Sequence, residues 1–101
     1  MVSPNAFDLV APDGTALGRV ELTSADMFWS EGRFTPTPAF DSIAPLFRAE
    51  LELLNGDAWE AWEEAYARID ALGLELRPLG GGAPIREFIL HVDGESAQVR
   101  Y

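Results

Sequence analysis

The sequence predicts an α+β domain: an antiparallel sheet of about five to six strands with a central αα-hairpin packed on one face, in the order βββααβββ. Three observations predict it. Asp-Gly turns at 13–14 and 93–94 each sit between short segments that alternate apolar and polar residues, as a β-hairpin requires. Between the two hairpins lie two stretches with apolar residues at helical spacing, parted only by Asn55-Gly56 and its neighbours. A connection that short makes the helices antiparallel neighbours. The chain has 101 residues, which suits one domain spanning 1–101 with its own core.

The first hairpin covers AFDLVAPDGTALGRVEL (6–22). Phe7, Leu9 and Ala11 alternate with Asp8 and Val10, and Val20 and Leu22 alternate with Arg19 and Glu21. Gly14 supplies the positive φ of the turn at no steric cost. A loop and a third strand near 28–35 follow, with Glu31-Gly32 expected as a bulge or turn inside that strand. TPTPAFDS (35–42) reads as an extended crossover, because its prolines cannot donate to a sheet ladder.

Ser42 is the expected cap of the first helix. Ile43, Leu46, Phe47, Leu51 and Leu54 then form one apolar stripe. Asn55-Gly56 stops it, and Asp57 with Glu60 makes a capping-box pattern for the second helix. Trp59, Trp62, Tyr66, Ile69 and Leu72 continue the helical spacing until Gly73. The core is expected to include Ile43, Leu46, Phe47, Leu51, Leu54, Trp62 and Ile69. A short strand at 74–79, a glycine-rich loop at 80–84 and the hairpin IREFILHV–DG–SAQVRY (85–101) complete the chain.

Seventeen acidic residues face seven basic ones, a net charge of −10, and every basic residue is arginine. That balance disfavours direct binding to nucleic acid or to anionic membrane surfaces. It permits a basic protein partner. No basic region followed by an apolar run opens the sequence, and no apolar stretch reaches the ~20 residues of a membrane span. A cytoplasmic location is the default expectation. There is no cysteine, so no disulfide framework or thiolate chemistry arises.

Chemistry-bearing motifs are sparse. The single histidine, His91, lies four residues from Glu87 on one face of a predicted strand. The pair suits either acid/base work or a polar contact on a sheet face. No metal site is expected, since such sites need three or four suitable ligands. No serine sits in a nucleophile elbow, and GGG at 80–82 lacks a phosphate-loop context. No cofactor is expected.

Two surface features remain. Segment 49–67 carries Glu50, Glu52, Asp57, Glu60, Glu63 and Glu64 with no basic residue. It is expected to form one negative patch on the outer face of the helix pair. The patch serves either solubility or the docking of a basic protein. FWSEGRFTPTPAF (28–40) carries four aromatic rings, two of its prolines and Arg33. Phe28 and Trp29 are adjacent, so on a strand they point to opposite faces and one of them faces away from the core. The candidate partner-binding set is therefore Glu50, Glu52, Glu60, Glu63, Glu64, Phe28, Trp29 and Arg33. The leading expectation is a small acidic, non-enzymatic protein-interaction module, of which an inhibitor or immunity-type binder of a basic protein is one form. A ligand-binding domain or enzyme built on His91 and Glu87 is an alternative, and a homodimeric structural protein is another.

Overall fold

The computed structural model describes residues 6–26 and 29–100. Phe28 and Tyr101 lie outside the described residues. The fold is α+β, with six antiparallel strands in one curled sheet and two helices, in the predicted order βββααβββ. The strands are β1 (Ala6–Val10), β2 (Ala16–Asp26), β3 (Trp29–Pro36), β4 (Glu75–Pro78), β5 (Ile89–Asp93) and β6 (Ser96–Arg100). The helices are α1 (Ala44–Asn55) and α2 (Trp59–Asp70). The sheet order is β4-β1-β2-β3-β6-β5. Both Asp-Gly hairpins are present, as β1–β2 and β5–β6, and β6 joins them by pairing with β3.

Alternation sorts the strand residues onto two faces. One face carries the rows Phe7–Val20–Phe34, Leu22–Gly32–Ala97–Val92 and Ser30–Val99–Leu90, and its apolar members are buried. The opposite face carries Asp8–Arg19–Thr35 and Glu31–Gln98–His91. Asp8 and Arg19 form a cross-strand ion pair of 3.1 Å there.

The prolines at 36 and 38 do not leave the chain extended. Thr37 anchors it to the start of β2, where its N–H bonds the Leu17 carbonyl and its hydroxyl donates to Ala16. A 3₁₀ turn (Pro38–Ser42) follows, with proline where a missing N–H costs nothing. That turn drops Phe40 between Phe34 and Phe47, with ring centroids 4.9 and 5.4 Å apart. Phe47 is thereby tied to the sheet through an aromatic chain.

Several local expectations are corrected. The expected loop after Leu22 is strand, since β2 runs on to Asp26 against β3. The bulge lies on β2 between Leu22 and Ser24, opposite Glu31 and Gly32 rather than within them. Ser42 does not cap α1; its hydroxyl donates to the Ala39 carbonyl. Asp57 does not cap α2 either. It takes the left-handed conformation at φ +57° between the helices, a role that aspartate tolerates, and Ala58 precedes the helix without a side-chain cap. The strand expected from Ile85 begins at Ile89, and Ile85 instead makes an isolated bridge to Leu76.

Phe47 and Ile69 are buried, and Ile43, Leu46 and Trp62 pack half-buried against the core. Leu51 and Leu54 are half-buried and line hollows beside His91. Tyr66 closes the free edge of β5. Its hydroxyl accepts the Leu90 N–H at 2.8 Å and donates to the Phe88 carbonyl at 3.4 Å. It thereby substitutes for a neighbouring strand at an edge that would otherwise be open. Burial pushes the Tyr66 phenol well above its ordinary range. On β4, hydrogen bonding to Arg77 and then Arg86 holds the Glu75 carboxyl below the usual carboxylate range.

Two substitutions test this packing. Phe47→Ala empties the joint between helix, 3₁₀ turn and sheet, and denaturant unfolding is expected to show a loss of about 3–5 kcal/mol. A loss below 1 kcal/mol would contradict the aromatic chain. Gly32→Ala would bring a methyl carbon to 1.8 Å from the Glu21 carbonyl oxygen. Only backbone displacement relieves such a contact, so a cost of about 2 kcal/mol or more is expected in the same assay.

Candidate functional site

Glu50 stands where the apolar stripe of α1 would place a hydrophobic residue. It lies three residues after Phe47 and four before Leu54, and the helix carries it inward with them. Its exposure is 0%. An isolated buried carboxylate is costly, so its oxygens must find donors. The Trp62 indole N–H donates to Oε2 at 2.6 Å, from the facing helix α2. His91 Nδ1 meets Oε1 at 2.6 Å, from strand β5. Three elements distant in sequence thus meet at one carboxylate, in short bonds of the charge-assisted kind.

His91 is 5% exposed although it belongs to the polar face of the sheet. Trp29 covers it by stacking, with centroids 5.0 Å apart and planes 24° from parallel. Trp62 closes another side at 6.3 Å. Because a carboxylate only accepts, ionised Glu50 requires a proton on Nδ1. Among the described residues, no buried side-chain nitrogen or oxygen lacks a hydrogen-bond partner. His91 makes its hydrogen bond to Glu50 through Nδ1.

His91 also borders an open space. A cleft of about 630 Å³ is lined by Trp29, Trp59, Trp62, His91 and Glu31, with Leu54, Ile89, Gln98 and Arg100 completing it. That volume falls in the ordinary range of ligand sites, roughly 300–1,000 Å³. All three tryptophans of the chain meet here. Trp59 stands at 79° to Trp62 with centroids 6.4 Å apart, so the walls are nearly perpendicular. Trp59 is 57% exposed and is the exposed large hydrophobic side chain among the described residues. Gln98 donates to Glu31 at 3.0 Å along the β3–β6 side.

The predicted site residues divide. Trp29 lines the cleft. Glu52, Glu60, Glu63 and Glu64 are exposed on the helix pair. Glu50 is not part of that patch, because the apolar stripe turns it into the interior. Arg33 is exposed on β3, paired in register with Glu21 and Ser96, and does not line the cleft. Phe28 lies outside the described residues. His91 is not matched with Glu87, which is exposed and precedes β5; Glu50 replaces it. Sequence reasoning missed Trp59 and Trp62 as surface elements because their spacing matches the core stripe of α2. The signal available for Glu50 was an acid on an apolar stripe.

Among the described residues, no group of three or more His, Cys, Asp or Glu is placed to hold a metal ion. No helix among them is long and apolar enough to cross a membrane. Compared with protein-family models, curated proteins and solved structures, the chain has no significant match.

The bridge makes a sharp prediction. Glu50→Ala strands the Trp62 N–H and the His91 N–H together, and equilibrium unfolding is expected to lose about 3–5 kcal/mol. Glu52→Ala, an exposed neighbour on the same helix, is expected to change stability by no more than about 0.5 kcal/mol. Equal effects of the two would contradict the burial of Glu50.

Proposed function

We propose that the protein is a small non-enzymatic interaction module that docks a basic protein partner at the tryptophan cleft. One observation carries this reading: Trp59, 57% exposed, stands at a cleft shared with Trp29 and on the helix that bears exposed Glu60, Glu63 and Glu64. Tryptophan on a surface is costly to leave in water and is among the residues that anchor interfaces. The acids supply what the tryptophans lack. With a net charge of −10 they attract a basic surface over distances set by the salt concentration, and they accelerate encounter more than they tighten the bound state. The reading combines the two features singled out in the sequence, with Trp29 of the aromatic strand in the cleft and the acids on the helix that carries Trp59.

The reading is tested by retaining partners from a lysate of the source cells on the immobilised protein, at low and high salt. A basic protein is expected to bind at low salt and to bind less as salt rises. Trp59→Ala is expected to raise its dissociation rate, at a cost of about 2 kcal/mol for an anchoring side chain. Glu60, Glu63 and Glu64 changed together to Gln should slow association about tenfold with little effect on the fold. Equal retention by all three proteins at low salt would overturn the proposal.

A further inference from the structure

Two hollows meet at His91. The tryptophan cleft and a second hollow of about 370 Å³ share Glu31, Leu54, His91 and Gln98 in their linings. They adjoin there, and the cleft is one end of a longer groove. The floor of the groove is the polar face of the sheet. Ile89 pairs with Arg100, His91 with Gln98 and Asp93 with Ser96, so three successive rows of side chains cross that floor. The wall is the helix pair, with Trp59 and Trp62 at one end and Leu51 and Asn55 at the other.

The chemistry changes along the groove. Arg100 stands at the first end, with Ile89 and the tryptophans. The far hollow holds Glu31 and Asp93, and among the described residues no arginine lines it. The last turn of α1 also lines it, through Leu54 and Asn55, and carries no basic residue. A helix C-terminus without one presents the negative end of the helix dipole uncompensated. One end thus suits an apolar ring, and the other suits a cation.

We propose that the groove seats an extended segment of the basic partner, with an apolar side chain among the tryptophans and a basic side chain two or four residues away, against Glu31 and Asp93. This deepens the docking reading above and rests on it. An extended chain advances ~3.3 Å per residue and sends alternate side chains to one face. The rows of the floor are spaced by the same geometry, so every second side chain of such a segment matches a row. From the row of Ile89 to that of Asp93 is four residues, or about 13 Å. An α-helix rises ~1.5 Å per residue, so four of its residues would cover only about 6 Å of the groove.

The test titrates acetyl-Phe-Thr-Lys-Thr-Lys-amide, and the same peptide in reversed order, into the intact protein and follows backbone amide and indole N–H signals by NMR. When extended, these peptides turn the ring and both lysines to one face, in either chain direction. Saturable shifts are expected for at least one order, running from the Trp59 indole through Gln98 to Asp93 and Ser96. Acetyl-Phe-Lys-Thr-Lys-Thr-amide has the same composition but turns its lysines to the other face, and it should bind more weakly. So should acetyl-Phe-Thr-Glu-Thr-Glu-amide, which reverses the charge. Trp59→Ala, a change at an exposed position, should weaken binding about fivefold or more, as for an anchoring ring. Asp93→Asn, which a turn before glycine tolerates, should weaken it about two- to fivefold, the value of one exposed ion pair. No saturable shift with either order, shifts confined to the tryptophan end, equal binding of either control peptide, or no effect of Asp93→Asn overturns the groove. The docking reading survives those outcomes if Trp59→Ala still releases a basic partner. It falls separately if no such partner is retained.

Discussion

The carboxylate of Glu50 is the constraint on which the arrangement of the other parts depends. It is fully buried, and burying a charge is unfavourable until its oxygens are matched by donors. Trp62 and His91 provide those donors from the second helix and from the edge strand of the sheet. Apolar packing alone tolerates small slides between α1, α2 and β5. Two short hydrogen bonds to one carboxylate do not, because moving either donor by an ångström leaves a buried polar group unmatched.

Much around the site follows from that fixed point. With Trp62 drawn to Glu50, the ring of Tyr66 one turn later stacks near it, 5.4 Å between centroids, and its hydroxyl is held at the open edge of β5. With Nδ1 of His91 bound to Glu50, the imidazole plane is set, and Trp29 lies over it. The cleft is what remains between these rings. Its walls are preorganised, and for the docking proposed above side chains already held in place would lose little freedom. The mouth differs from the floor: Trp59 stands in water, while the donors and acceptors below it are locked.

The fold class was legible because it depends on local signals. Asp13-Gly14 and Asp93-Gly94 place two hairpins, and the stripe from Ile43 to Leu54 places α1, whatever the rest of the chain does. What failed locally failed for reasons of packing. Thr37 folds back on β2 and turns a proline segment into a 3₁₀ turn that the prolines alone did not specify. Gly32 reads as a bulge, yet the extra residue is on the opposite strand and the glycine is there to let the backbones approach. The site was less legible. Glu50 and His91 are 41 positions apart, and no periodicity links them. Charge counting assigned Glu50 to the surface with its neighbours, although its place on the apolar stripe argued for the interior. Trp59 and Trp62 share one helical spacing, but only Trp62 turns inward far enough to bond.

The central claim is that Trp62 donates its indole proton to a buried carboxylate, and hydrogen exchange of that proton tests it most directly. Trp59 on the same helix is an internal reference, because its ring stands in solvent. The account predicts that the Trp62 indole proton exchanges orders of magnitude more slowly than that of Trp59, at a rate that follows global unfolding as denaturant is added. Exchange of both indole protons at the same fast rate in the native protein would contradict it.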